Sequence, residues 1–291
     1  MKNQSKSRSL FVDTSIHVGW VTREAKFRKR ISEGLSLFSK KYSGLVVLTE
    51  LKRRLLRDGM YLLNQLNEKE SFHEVQMHLN NVLPTQWSRK RTVCINLLHR
   101  AWNDPGTSLT DAELTERAQR FLHLFLKFGV GKLETRVDKL IEDAGCACSA
   151  HSVVCRTPYV KYEIKPFDCS KVAGKCGIIS FLSDNRTKLL AFQRALGLMR
   201  KADKSQELLR AEEFLNKYLN EGVNPTELNP CTKVGDLLIA LESSSSDVMY
   251  TMNLAESKFF CHQLNQEMRI RPNNPAHDDR EYKPNGKTWP K

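Results

Sequence analysis

No stretch of the chain approaches the ~20 consecutive apolar residues that a membrane-spanning helix requires. The opening MKNQSKSRSL has basic side chains but no apolar segment ahead of a small-residue cleavage site, so export is not expected and a soluble, cytoplasmic protein is. Neither G-x-G-x-x-G nor G-x₄-G-K-[ST] occurs, which argues against nucleotide-driven chemistry. The H-E-x-x-H and H-x-E…P-C-x-x-C patterns are also missing, so a catalytic zinc is not expected. No local nucleophile signature surrounds any of the 8 cysteines, and no internal repeat is present. Acidic residues are the scarcer charge: 33 Asp and Glu stand against 46 Lys and Arg, a net +13 with a pI near 9.4.

The 291 residues are 40% hydrophobic and 27% charged, with a mean hydropathy of −0.47. That is ample apolar content for a packed core and excludes whole-chain disorder. The length suits one large domain, or one domain carrying an insertion. The basic excess is uneven, since residues 1–60 hold 14 basic and 5 acidic side chains. Such an excess favours a polyanionic partner, nucleic acid or an anionic membrane face, and is equally compatible with a solvated surface.

Ser9-Leu10-Phe11-Val12-Asp13-Thr14-Ser15 reads as a short buried strand that stops at an acid. A basic amphipathic helix follows over 16–38, with Arg23, Lys26, Arg28, Lys29 and Arg30. Tyr42-Ser43-Gly44 interrupts it, and Ser43 is a candidate cap for a second helix over 45–66. That helix holds Glu50 and then Lys52, Arg53, Arg54 and Arg57. Residues 67–156 read as helical and polar, with a basic–aromatic knot at Trp87-Ser88-Arg89-Lys90-Arg91 and a helix start at Thr110. Residues 159–164 alternate like a strand, and helices are expected over 185–201 and 205–219. Near the end come a short helix at 234–241 and a strand at 247–253; from about Arg269 the pattern is that of a flexible polar tail.

Three acids stand apart from the ordinary charged faces. Asp13 ends the first strand, Glu50 lies among apolar and basic residues, and Asp236 opens the helix G-D-L-L-I-A-L. A buried carboxylate must be paired, capping or bound to metal. Strand ends on one edge of an α/β sheet can bring such groups together. Three converging carboxylates would repel one another until a hard cation, Mg²⁺ or Mn²⁺, neutralised them. Taken singly, Asp236 also suits a helix N-cap and Asp13 a loop start.

The stretches F-V-D-T-S at 11–15, L-T-E-L at 48–51, G-D-L-L-I-A at 235–240 and Y-T-M-N…K-F-F at 250–260 resemble, in order, the motifs of PIN-domain nucleases. The resemblance implies an α/β fold, a PIN-like parallel sheet flanked by helices, here with a large, mostly helical insertion. It also implies Mg²⁺- or Mn²⁺-dependent hydrolysis of phosphodiester bonds, most often in RNA, with Asp13, Glu50 and Asp236 holding metal. Thr14 or Ser15 stands beside the first ligand, and Thr251 matches the hydroxyl residue before the family's fourth acid. The sequence departs from the pattern there, because that acid falls at Asn253; Asp247 lies at the other end of its strand. On this resemblance the expected activity is an endoribonuclease. The alternatives are a structure-specific DNA nuclease and an inactive PIN-like binding or scaffold protein.

Cys146, Cys148, His151 and Cys155, with Cys169 and Cys176 downstream, could supply a structural Zn²⁺ site, or be buried free thiols. The Lys and Arg runs after Asp13 and Glu50 are candidate phosphate contacts or solvated faces. Trp87 is a candidate base-stacking residue or a core anchor. The expected division is residues 1–66 and 157–268 as one PIN-like domain, 67–156 as the insertion, and 269–291 as the tail. RNA is expected over DNA as partner and no membrane is; a protein partner or an oligomer is compatible.

Overall fold

In a computed structural model, the structure describes residues 8–81, 88–102, 109–129, 137–145, 153–154, 163–164 and 176–284. The first half runs β1 (Ser9–Val12), α1 (Thr14–Thr22), α2 (Ala25–Ser36), β2 (Lys40–Gly44), α3 (Leu45–Lys69), α4 (Phe72–Asn81), α5 (Ser88–Trp102), α6 (Asp111–Leu124) and β3 (Lys139–Ile141). A two-stranded antiparallel pair follows, β4 (Val153–Val154) with β5 (Glu163–Ile164). Then come α7 (Ile178–Asp184), α8 (Arg186–Leu198), α9 (Gln206–Leu219), α10 (Pro230–Lys233) and α11 (Gly235–Ser243). The chain closes with β6 (Val248–Thr251), α12 (Leu254–Gln263), β7 (Glu267–Ile270) and β8 (Arg280–Tyr282). No helix among the described residues is long and apolar enough to cross a membrane.

The main sheet has the order β3-β2-β1-β6-β7-β8. Every neighbouring pair is parallel except β7 with β8. Successive side chains of a strand point to opposite faces, and each face has its own core. Leu10 and Val12 of β1, with Val248 and Tyr250 of β6, pack with Phe27, Ile31 and Leu35 of α2. Phe11 and Met249 turn the other way, onto α7–α9, α11 and α12. The mixed α/β architecture, a mostly parallel sheet between helices, agrees with the sequence reading. Burying each of Leu10, Phe11 and Val12, at 0%, 0% and 1% exposure, stabilises the fold by about 1.5–3 kcal/mol before entropy is counted.

Several boundaries differ from expectation. The helix expected over 16–38 is two helices, broken where Arg23 and Glu24 are both extended; the break lets α2 turn its Phe27–Ile31–Leu35 face onto the sheet. The interruption at Tyr42–Gly44 is part of β2, a polar strand held by parallel pairing with β1. Ser43 does not cap α3. Its hydroxyl donates to the Val12 carbonyl at 2.9 Å, and Gly44 is the N-cap. Glu242 of α11 does the capping, accepting from the Val46 N–H at 3.1 Å. A Cβ at Gly44 would lie 1.8 Å from the Glu242 carboxylate, so any larger residue there would push Glu242 off the cap.

The helical block begins inside α3 rather than at residue 67. Leu51 through Leu66 already pack with α4, α5 and α6, while Val46 and Val47 belong to the core under the sheet. Spanning about 37 Å at 1.5 Å per residue, α3 joins the two bodies. The helix start expected at Thr110 is observed, and Thr110 forms a capping box with Glu113 as its reciprocal partner. Within the expected insertion, β3 pairs with β2 and extends the main sheet.

The flexible tail expected from 269 is contradicted over its described part. Residues 267–270 and 280–282 are strands of the main sheet. Asp279 draws them together, accepting from Arg269 Nε at 2.8 Å and Tyr250 Oη at 3.0 Å and pairing with Arg271 at 2.8 Å. Arg271 and Asp279 are nearly inaccessible, their side chains 2% and 3% exposed, so local polarity misled where a distant ion pair decides. Residues 285–291 lie outside the described residues.

Candidate active site

Reading outward from β1, the chain first builds β2 and β3 on one side, then returns to place β6 on the other. In a parallel sheet this reversal leaves a crevice at the carboxyl ends of the two central strands. Asp13 follows directly on β1, and Thr251 ends β6. Glu50 lies in the second turn of α3, which leaves the same edge of β2. Asp236 lies in the first turn of α11, the helix that runs back toward the start of β6. A cavity of about 780 Å³ opens there, lined by Asp13, Glu50, Asp236 and Asn253 among others.

A lattice of hydroxyls joins the two strand ends. Asp13 Oδ2 accepts from Thr251 Oγ1 at 2.7 Å, Ser15 Oγ at 2.5 Å and the Ser15 N–H at 3.3 Å. Thr251 Oγ1 accepts in turn from the Asn253 N–H at 2.9 Å, and Ser15 Oγ from the Met252 N–H at 2.8 Å. Thr14 Oγ1 donates to Glu50 Oε2 at 2.7 Å, tying the second acid to the first strand's end. Asp13 is 6% exposed and caps α1, so it opens a helix and not the loop weighed for it. All its hydrogen bonds fall on Oδ2, and Oδ1 accepts none among the described residues. Asp236 is not a cap, because Val234 holds that position. The N-terminal ends of α1 and α11 place partial positive charge beside both acids.

The oxygen-only donors Asp13, Glu50 and Asp236 suit Mg²⁺ or Mn²⁺. Among the described residues no three acidic, His or Cys side chains are close enough to form a ready-made cluster. That still fits Mg²⁺, which is commonly held by one or two carboxylates and keeps several waters. The unengaged Asp13 Oδ1 is the atom best suited to it.

Of the nine expected nucleic-acid contacts, Arg23 and Arg54 line the cavity. Arg23 donates to the Asn273 carbonyl and side chain, both at 2.7 Å, and lies over the Phe27 ring. Burial is the main reason its guanidinium pKa lies below the ordinary value. Lys26, Arg28, Lys29, Arg30, Lys52, Arg53 and Arg57 fall outside the lining. Lys26, Lys29 and Arg57 are exposed; Arg30 pairs with Glu33 at 3.2 Å, and Arg57 with Asp58 at 3.2 Å. Asp247 is at the opposite end of β6, accepting from the Ser9 N–H and hydroxyl, which hold its carboxyl below the ordinary value.

Cys146, Cys148, His151, Cys155 and Cys169 lie outside the described residues, as does Trp87. Cys176 is a buried free thiol in the core. The sequence reading missed the far wall of the cavity, formed by Thr92, Asn96, His99 and Arg100 of α5 and by Asn273 and Pro275 of the supposed tail. The first four recur at helical spacing opposite the apolar Cys94, Leu97 and Leu98, a polar stripe that the 3.6-residue period shows but does not tell from a solvated face. Nothing local marks Asn273. The chain matches no family model, no curated protein and no solved structure.

Proposed function

We propose that the chain is a metal-dependent nuclease of the PIN-like type, most simply an endoribonuclease. The observation that carries this reading is the meeting of Asp13, Glu50 and Asp236, from three distant stretches, on one cavity at the sheet's reversal point. Their order along the chain is that of the motifs quoted above, and arginines share the cavity. Asp13, Glu50 and Asp236 would hold Mg²⁺ or Mn²⁺. When bound, the cation lowers the pKa of water and neutralises charge on a phosphodiester. The protein's own part is to hold Asp13 Oδ2 through Thr251 and Ser15, to fix Glu50 through Thr14, and to keep Arg23 and Arg54 beside the backbone phosphates.

Asn253 at the cavity favours a second reading, a PIN-like protein that binds nucleic acid without cutting it. One experiment separates the two: cleavage of labelled single-stranded RNA and DNA with Mn²⁺, Mg²⁺ or EDTA, with Asp13→Asn alongside. Metal-dependent cutting of RNA, lost in Asp13→Asn, is the expected result. Cutting of DNA alone would reassign the substrate. Salt-sensitive binding without cutting, in both proteins, would replace the nuclease by the binder.

A further inference from the structure

The wall opposite the acids belongs to the helical block, and its cation is Arg100. One Nη of Arg100 donates to the Val21 carbonyl, which anchors the guanidinium at the junction of α1 and α5. Its other N–H groups find no hydrogen-bond acceptor among the described residues, its guanidinium lies 5.6 Å from the centre of the Phe121 ring, and the residue lines the cavity. Arg28, from α2, is its cationic neighbour. The Arg28 Nε is buried without a hydrogen-bond partner, and its guanidinium has no ion pair among the described residues. Burial first, and Arg28 second, hold Arg100 below the ordinary arginine pKa. Two neighbouring, partly desolvated cations with spare donors are costly when nothing anionic meets them. A phosphate, whose oxygens match the guanidinium fork, removes that cost.

We propose that Arg100, backed by Arg28, forms a phosphate seat: Arg100 meets one backbone phosphate of a nucleic-acid strand on the α5 wall of the cavity that Asp13 also lines, and Arg28, outside the lining, adds its charge. The inference rests on the cavity's being a nucleic-acid site. The helical block is then the second jaw of that site, and both arginines are positioning residues that hold the strand without reacting.

The test is the anisotropy of a labelled single-stranded RNA with the full chain in EDTA, where no cutting occurs. Arg100→Gln should weaken binding about ten-fold or more, the loss of one charge-assisted contact. It should also reduce the salt slope by about one. Arg28→Ala breaks no hydrogen bond, so it should weaken binding several-fold at an unchanged melting temperature, and Arg100→Lys should recover part of the Arg100→Gln loss. A strand with uncharged methylphosphonate linkages should bind weakly and equally to wild type and both variants. Wild-type affinity and salt slope in both Arg100→Gln and Arg28→Ala would overturn the seat, as would full affinity for the uncharged strand. If wild type never cuts with Mn²⁺ yet these binding losses appear, the seat stands and the nuclease reading falls.

Discussion

Two aspartates with similar burial live in opposite circumstances. Asp13, at the end of β1, is 6% exposed and meets two hydroxyls and a backbone N–H. Asp58, midway along α3 in the helical block, is 0% exposed and has Arg57 on Oδ1, while Oδ2 is buried with no hydrogen-bond partner among the described residues. Desolvation raises the Asp58 carboxyl above its ordinary value, against the pull of Arg57 and Arg54. It also presses on its neighbour: burial, then Asp58, push the Cys94 thiol up to about 12. A strand-to-helix junction has spare donors to offer, whereas the middle of a helix has spent its N–H groups on itself. The junction therefore carries a well-satisfied carboxylate, and the mid-helix site carries a cost.

The sharpest way to break this contrast is Asp13→Asn. It keeps the cap of α1 and should lower cleavage on the order of 10²–10³-fold, the scale for losing one essential electrostatic group. An active Asp13→Asn protein would make Asp13 merely a cap. Thr251→Val comes next, removing the donor to Asp13 Oδ2. It should cost about 10–100-fold in activity or metal affinity, as partners of ligands do, while Thr251→Ser stays near wild type. Equal effects of Val and Ser would show that the hydroxyl is not the reason.

The smallest effect lies in the helical block. Asp58→Asn should be neutral or stabilising by about 1 kcal/mol at pH 7, because it removes a poorly paired buried charge. The sign with pH follows from the raised carboxyl: its favourable contribution is complete below the ordinary unfolded value and is lost as pH rises through the folded value. Denaturant unfolding from pH 4 to 8 should therefore show wild type losing stability relative to Asp58→Asn. Parallel curves would refute the buried, unrelieved charge.

What was legible in the sequence follows the same division. The end of β1 at Asp13 and the helix start at Thr110 were readable because strand patterning and side-chain capping are local; the start of α3 was read from a Ser43 cap that does not form, its place being taken by distant Glu242. The three acids stood out because each interrupts an apolar run. β2 was not readable, since Lys40–Gly44 becomes a strand only through its partner β1. Nor were β7 and β8, which depend on Arg269 and Arg271 meeting Asp279. The α5 wall was overlooked because Thr92, Asn96, His99 and Arg100 look like any solvated face until α1 is packed against them.

The central pairing also sets a schedule for synthesis. Leu10 of β1 pairs with Val248 of β6, so β1 waits for a strand synthesised much later. Until residue 251 emerges, Asp13 lacks the Thr251 hydroxyl that holds it. Closing so long a loop is entropically slow as well as late. The helical block, local in sequence, can form early. The cavity then assembles only once β6 has been made, and a chain released before residue 236 carries Arg23, Arg54 and Arg100 without the third acid.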